Sequence, residues 1–180
     1  GQGALSDDFA ELGNQLSLLI RSEAVLKLAE GDVYAYEVNG LGSYLFMDDP
    51  NVPSLLSLPY LGCCPADDPI YVRTRLLLLS RRNPFFYEGK TARGLGSPHT
   101  PVNSIWPIGA CMQGLTSNNA EEIRGCLQLL KTTHAGTGFM HESFDVNDPA
   151  KFTRSWFAWA NSLFGELIVD VLERHPQLLS

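Results

Sequence analysis

The sequence has little positive charge and few charged side chains of any kind. There are 13 Lys and Arg residues against 20 Asp and Glu residues, so the formal net charge is −7. Nucleic acid and acidic membrane surfaces attract proteins through a concentrated positive field, so neither is predicted as a partner. Charged residues make up 18% of the chain and apolar residues 44%. This composition excludes a disordered segment and predicts a sizeable hydrophobic core.

Long apolar runs and cysteine motifs are also missing. The run Leu76–Leu79 is far shorter than the roughly 20 residues that cross a bilayer, so no spanning helix is predicted. The four cysteines form no CxxC pair, and Cys63 and Cys64 are adjacent, which prevents an unstrained bridge. We predict free thiols and no cysteine metal site. The opening residues Gly1–Leu5 are neither a signal peptide nor an initiator methionine, so the compartment is not predicted.

Helical periodicity dominates what is present. Apolar spacing, capping residues and prolines predict about six helices. The predicted helices run from Ser6 past Ile20, Pro53 to Leu61, Pro69 to Leu79, Asn103 or Ser104 to Leu115, Asn118 past Leu130, and Ser155 to Glu173. Short β-hairpins are predicted over 34–46, turning at Asn39-Gly40, and around Glu88–Lys90. The pattern is typical of an all-α domain whose long polar loops carry small hairpins.

Three of these loops hold the chemically informative residues. Asp48, Asp49 and Asn51 lie before a proline, and His99 lies in a loop rich in glycine and proline. Glu142 lies between an imidazole and a hydroxyl group, with bulky apolar residues on both sides of these three. A carboxylate in such surroundings can serve as a general base. From spacing alone, helix capping by the aspartates, a scaffold role for His99 and a structural role for Glu142 remain alternatives.

Aromatic and directional polar residues occur together in and around these loops. The aromatic residues are Trp106, Trp156, Trp159, Phe144, Tyr44 and Phe46, and the polar ones are Asp48, Asp49, Asn51, His99, Glu142, Arg154 and Asn161. A sugar ring has apolar C–H faces and a rim of hydroxyl groups, so this mixture suits a carbohydrate. Phe157 and Phe164 are predicted to be ordinary core residues.

Longer strings carry a resemblance to a known family. The strings are YAYEVNGLGSYLFMDDPNVPSLLSLPYLG, DPIYVRTRLLLLSRRNPFFYEGK, GLGSPHTP, IWPIGACMQGLTS and AGTGFMHESFDVNDPAKFTRSWFAWANSLFGEL. From Tyr34 to Leu167 the chain resembles the C-terminal part of glycoside hydrolase family 125, the exo-α-1,6-mannosidases. The resemblance implies that residues 1–180 form the C-terminal part of one (α/α)6 barrel catalytic domain, whose N-terminal part is absent from this chain.

The same resemblance implies an activity and a set of roles. The expected reaction removes terminal non-reducing α-1,6-linked mannose from a glycan with inversion, without a cofactor or metal and with no obligate protein partner for the complete enzyme. Glu142 matches the family's general base. The residues expected to bind substrate are Asp48, Asp49, Asn51, His99, His141, Arg154 and Trp156.

The general acid of the family belongs to a Ser-Asp-Asp motif that is expected before Gly1. The tripeptide Ser6-Asp7-Asp8 lacks the surrounding aromatic and proline residues of that motif, so the role is not transferred to it. A second hypothesis makes Asp48 or Asp49 the acid. The expected lack of the other barrel helices also predicts partly uncovered apolar faces at 76–79, 123–130 and 163–172.

Three other functions are compatible with the residues. A non-catalytic carbohydrate-binding homologue would keep the aromatic and polar residues without using Glu142 as a base. A metal-dependent hydrolase could use His99, His141, Glu142 and Asp48. Retaining chemistry would need two carboxyl groups about 5–5.5 Å apart, whereas inversion needs roughly 6.5–9.5 Å, and the product anomer distinguishes them.

Overall fold

The fold is mainly helical, with short antiparallel strands in the connections. A computed structural model describes residues 2–179, which contain five α-helices, nine short strands and a final 3-10 turn. The helices are α1 (Gln2–Glu23), α2 (Pro69–Leu78), α3 (Pro107–Leu115), α4 (Ala120–Thr132) and α5 (Ala158–Arg174). The strands are β1 (Val25–Leu28), β2 (Gly31–Tyr34), β3 (Glu37–Val38), β4 (Tyr44–Leu45), β5 (Phe86–Glu88), β6 (Arg93–Leu95), β7 (Ser104–Ile105), β8 (Ser143–Asp145) and β9 (Phe152–Thr153). An (α/α)6 barrel contains six pairs of helices, whereas residues 2–179 contain five helices. Helices packed on one another are therefore observed, but a closed barrel is not.

The helix predicted to start at Ser6 begins earlier, at Gln2. Ser6 therefore lies inside α1 and is not its cap. The residues before it include good helix formers such as Leu5, so the helix extends towards the N-terminus.

The helix predicted from Pro53 to Leu61 is wrong, because this segment forms a series of turns. The hydroxyl groups of Ser54 and Ser57 accept hydrogen bonds from each other's backbone N–H groups at 3.2 and 2.8 Å. Such local side-chain bonds compete with the helical pattern. Pro59 also lacks the N–H that a helix needs at that position.

The remaining helices form close to the predicted positions, with shifted starts. Asp68 caps α2 by accepting hydrogen bonds from the N–H groups of Ile70 and Tyr71. Helix α4 is capped by Asn119, one residue after the predicted Asn118. Helices α3 and α5 both start three or more residues late, because the segments before them are held extended by contacts with the loop that contains Glu142.

Those extended segments belong to or adjoin a three-stranded antiparallel sheet in the order β7-β8-β9. Ser104 and Ile105 pair with Asp145 and Phe144, so they cannot join α3. Asn103 has a φ of +66°, which also excludes it from a helix. The start of α3 and the start of α5 therefore both lie next to the loop that contains Glu142.

Two predicted hairpins are confirmed in outline and a third is new. Strands β3 and β4 pair across a loop in which the Asn39 side chain accepts hydrogen bonds from the N–H groups of Leu41 and Ser43. Strands β5 and β6 form the hairpin predicted near Gly89. The hairpin of β1 and β2 was not predicted, and Tyr34 belongs to it.

The main hydrophobic core lies between α3, α4 and α5. Ile123 and Leu130 are fully buried there, so the prediction of an uncovered face over 123–130 is wrong. Leu76 and Leu172 are exposed, in agreement with the prediction for the other two segments. Helix α1 carries a row of exposed apolar side chains, at Leu5, Phe9, Leu12, Leu16, Leu19 and Ile20.

The cysteines agree with the prediction of free thiols. All four cysteines are free, with Cys63 exposed and the other three buried. Of the helices in residues 2–179, none combines the length and the apolar character that crossing a membrane requires.

Candidate active site

The three loops that carry Asn51, His99 and Glu142 border an open cavity of about 870 Å³. Its volume is within the range of small-molecule binding sites, roughly 300–1,000 Å³. The lining residues are Asn51, Val52, His99, Trp106, Glu142, Arg154, Trp156, Phe157, Ala158 and Trp159. The structure thus brings together five of the predicted site residues, which are Asn51, His99, Glu142, Arg154 and Trp156.

Glu142 is the one carboxylate among the described residues that line this cavity. Its backbone N–H donates to the carbonyl of Thr153 at 3.2 Å, just before β8 begins. Its side chain is only 13% exposed, and Oε1 lies 3.5 Å from Nε of Arg154. The carboxylate is therefore mostly buried. The backbone of Glu142 is fixed by its hydrogen bond to Thr153, and the guanidinium of Arg154 lies beside the carboxylate.

The loop before Glu142 is fixed by Asn161 of α5. The Asn161 side chain accepts a hydrogen bond from the N–H of Met140 at 3.1 Å and donates to the Met140 carbonyl at 2.9 Å. Its amide group also donates to the Phe157 carbonyl at 2.8 Å. Asn161, predicted as a pocket residue, instead positions the loop that carries Glu142.

The aromatic wall of the cavity has a buried part and an exposed part. Trp106 is buried, packs edge-on against Phe157 at 5.8 Å and donates from Nε1 to the Thr100 hydroxyl at 2.8 Å. Trp156 and Trp159 are 56% and 65% exposed, so their rings are accessible to a ligand. The other aromatic residues predicted for the pocket, Phe144, Tyr44 and Phe46, do not line it, and Phe144 is a core residue of the small sheet.

Asp49 does not line the cavity, but its carboxylate connects the loop with Asn51 to the loop with His99. Its Oδ1 accepts hydrogen bonds from the backbone N–H of Asn51 at 3.0 Å and from the Asn51 side chain at 2.9 Å. Its Oδ2 accepts from the Ser97 hydroxyl at 2.9 Å and lies 3.9 Å from Nε2 of His99. Sequence reasoning did not find Ser97, although the Gly-Ser-Pro-His string marked its loop.

Asp48 lies deeper and does not line the cavity. It is fully buried, and its two oxygens accept hydrogen bonds from the N–H groups of Leu55 and Leu56 at 2.8 and 2.9 Å. Burial raises the pKa of Asp48 to about 7, although these hydrogen bonds lower it. Asn83, which sequence reasoning missed, binds the Asp48 backbone with its side chain on both the N–H and the carbonyl.

His141 also lies behind the wall and not at the cavity surface. Its ring is buried and stacked on Phe152 at 3.9 Å. Nδ1 lies 3.0 Å from the Ser155 carbonyl, and because a carbonyl oxygen can only accept, Nδ1 carries the proton. Nε2 has no hydrogen-bond partner among residues 2–179.

The sequence leaves a metal-dependent hydrolase as an alternative, with His99, His141, Glu142 and Asp48 as ligands. Within residues 2–179, no group of three or more His, Cys, Asp and Glu side chains is arranged to hold a metal ion. His99 lines the cavity, whereas Asp48 and His141 lie behind its wall, so the four residues of that hypothesis do not converge.

A cavity with aromatic walls, one sheltered carboxylate and several hydrogen-bonding side chains is typical of a carbohydrate site. The sequence profile of the metal-independent alpha-mannosidases, GH125, matches residues 2–169, and the chain therefore belongs to this glycoside hydrolase family. The resemblance drawn from the sequence strings is confirmed.

Two relatives extend this comparison. The meiotically up-regulated gene 157 protein of Schizosaccharomyces pombe is 57% identical over 150 residues, which cover 83% of this chain and 30% of that protein. A solved structure from Streptococcus pneumoniae matches with a TM-score of 0.91 and 46% identity, over 95% of this chain and 40% of that one. It is described as a metal-independent alpha mannosidase in a non-productive complex with alpha-1,6-mannobiose. The chain thus spans less than half the length of either relative.

Proposed function

We propose that this chain supplies the general base and part of the sugar-binding wall of an inverting exo-α-1,6-mannosidase. The observation that carries the proposal is the sheltered carboxylate of Glu142 in an open cavity with exposed tryptophans. Membership of the alpha-mannosidase family supports the reaction class. The alpha-1,6-mannobiose bound in the related pneumococcal structure supports the linkage.

In an inverting reaction, two carboxyl groups act on opposite faces of the sugar ring. One protonates the glycosidic oxygen, and the other removes a proton from the water that attacks the anomeric carbon. Glu142 takes the second role, because its carboxylate borders a cavity that can hold both the sugar and the water. Asn51 and His99 form hydrogen bonds with the sugar hydroxyl groups, and Trp156 packs against the apolar face of the ring.

The general acid is proposed to come from sequence beyond these 180 residues. Glu142 is the one carboxylate at the described cavity wall, and both oxygens of Asp48 and of Asp49 already accept hydrogen bonds within the protein. These bonds argue against the hypothesis that Asp48 or Asp49 is the acid. In this proposal the chain is the C-terminal part of one (α/α)6 catalytic domain, in line with its coverage of 40% of the pneumococcal chain.

One experiment tests the reaction and separates it from the alternatives. The complete polypeptide encoded by the gene is incubated with α-1,6-mannobiose, and the first product is followed by NMR. Release of β-mannose supports inversion, and release of α-mannose would mean retention. Binding of the disaccharide without hydrolysis would identify a non-catalytic carbohydrate-binding homologue. Activity that is lost with a chelator and restored by a divalent metal would favour the metal-dependent alternative.

A further inference from the structure

Arg154 has an unusual backbone conformation for a residue with a side chain. Its φ is +44°, in the left-handed region where a Cβ atom crowds the following carbonyl. Such conformations persist only where the surroundings hold them, and they cluster at functional sites. The position therefore needs a physical explanation, and the neighbouring contacts supply one.

The segment around Arg154 is clamped by the segment that carries Glu142. On one side, the hydroxyl groups of Ser143 and Thr153 are 2.8 Å apart and hydrogen-bonded. On the other side, the buried His141 donates from Nδ1 to the Ser155 carbonyl at 3.0 Å. Arg154 lies between these two anchors, so its backbone is held in place from both directions.

The result of this clamp is a guanidinium beside the proposed base. Nε of Arg154 lies 3.5 Å from Oε1 of Glu142, and Cζ lies 5.7 Å from the centre of the Phe157 ring. The Arg154 side chain is 65% exposed, whereas that of Glu142 is 13% exposed. The arginine thus covers one side of the carboxylate and leaves its other side open to the cavity.

We infer that Arg154 is a positioning residue, which orients the carboxylate of Glu142 towards the attacking water, and that the left-handed turn at 154 exists to place it there. This inference rests on the proposed function and changes the role expected for Arg154 from substrate binding. An arginine on one edge of a carboxylate fixes its rotation better than a lysine, because the guanidinium is planar and directional.

The principal variant is Arg154→Gly in the complete polypeptide. Glycine adopts a φ of +44° without crowding, so the fold is kept and the thermal midpoint stays equal or rises. With the base free to rotate, kcat falls by about 10- to 100-fold while KM stays within about threefold, as expected for a misplaced catalytic group. Arg154→Lys recovers part of the loss, and added guanidinium ion restores activity to the glycine variant.

The matched control is Lys151→Met, which removes an exposed positive charge from the turn that leads into β9. Lys151 pairs with Asp148 and not with Glu142, so kcat stays within about twofold. A raised KM with unchanged kcat in Arg154→Gly would make Arg154 a sugar contact and overturn the inference. Unchanged values of both would also overturn it.

A structural measurement keeps this test separate from the test of the proposed function. Crystal structures of the complete polypeptide and of its Arg154→Gly variant compare the orientation of the Glu142 carboxylate whether or not the protein hydrolyses mannosides. We expect the carboxylate to rotate or to occupy several orientations in the glycine variant. An unchanged, well-ordered Glu142 would refute the positioning role, whereas an inactive parent protein would refute only the proposed function.

Discussion

The Ser97 hydroxyl donates a hydrogen bond of 2.9 Å to Oδ2 of Asp49, across 48 positions in the sequence. The other oxygen of Asp49 holds the backbone and side chain of Asn51. One buried carboxylate therefore sets the relative positions of the loop with Asn51 and the loop with His99, both of which reach the cavity.

Substitution of Asp49 by alanine is expected to weaken the binding of mannose-containing ligands. The hydrogen bonds that Asp49 accepts hold the loops with Asn51 and His99 in place, so their loss lets both loops move and the ligand must order them again. Calorimetry on the complete polypeptide should show binding weakened by about tenfold, or about 1.4 kcal/mol. Ser97→Ala removes one of the donors and should produce a smaller change in the same direction. Unchanged affinity in both variants would mean that Asp49 serves the local turn alone.

Replacement of Glu142 by glutamine is expected to remove turnover and spare binding. Glutamine keeps the shape of the side chain but cannot take the proton of the attacking water, and a positioned base contributes roughly 10²–10⁴-fold to the rate. Mannose release and disaccharide affinity are measured side by side. Glu88→Gln, at an exposed ion pair with Arg81, is the control that should keep full activity. Near-normal turnover in Glu142→Gln would contradict the proposal that Glu142 is the general base.

Asp48 is expected to make the free energy of unfolding depend on pH. Burial raises its pKa from 3.8 to about 7 in the folded protein. The folded state then holds a proton that the unfolded chain releases, so the stabilising contribution is full below about pH 3.8 and is lost as the pH rises to about 7. Urea unfolding of the complete polypeptide between about pH 4 and 8 measures this decline.

The variant Asp48→Asn isolates that effect. It cannot ionise, so its stability should lack the decline between about pH 4 and 7. The amide of the substituted side chain also places an N–H group opposite one of the two backbone N–H groups that Asp48 binds. The loss of that hydrogen bond should lower the free energy of unfolding by about 1–3 kcal/mol at low pH. The exposed Asp67→Asn is the control that should behave as the parent. A decline of equal size in Asp48→Asn would assign the pH dependence to another group.

Glu122 is expected to give the opposite pH dependence. Burial raises its pKa, but the hydrogen bonds from Ser117 and Gln113 and the guanidinium of Arg75 outweigh burial, and its pKa lies below the ordinary 4.5. The ionised form therefore stabilises the fold above about pH 4.5, and this stability is lost as the pH falls below that value.

Glu122→Gln tests this cluster, which joins α2, α3 and α4. The substitution should lower the free energy of unfolding at pH 7 by about 1–3 kcal/mol, because it leaves Arg75 without its anionic partner. Glu121→Gln, on the exposed side of the same turn, is the matched control. Equal stability of the two variants at neutral pH would show that the cluster contributes little.

The 180-residue chain produced alone is expected to self-associate and to release no mannose from α-1,6-mannobiose. The apolar row of α1, including Leu12 and Leu16, is about half exposed, and exposed apolar surfaces of this kind mark association sites. Light scattering measures the mass, and Leu12→Glu with Leu16→Glu should reduce it. Ala10→Glu with Asn14→Glu adds the same charge to the opposite side of the helix and should not. Mannose release by a compact monomer would refute the prediction.

Local sequence signals determined the elements whose stabilisation is also local. Pro69 predicted the start of α2, because a proline in the first turn of a helix acts within a few residues. The strings around Glu142 predicted the family and the proposed base. The positions of Asn51, His99, Arg154 and Trp156 in one cavity also agree with the prediction of a shared site.

Only the tertiary structure decided which polar side chains face the cavity. Asp48 and Asp49 are neighbours in the sequence, yet one binds the turn at Leu55 and Leu56 and the other binds Asn51 and Ser97. The segment after Pro53 forms that turn and not the expected helix. Helix α5 begins later than expected, because His141 binds the Ser155 carbonyl. In each case a buried polar group had to find a partner beyond its immediate neighbours. Periodicity, which reports only near neighbours, carries no information about such partners.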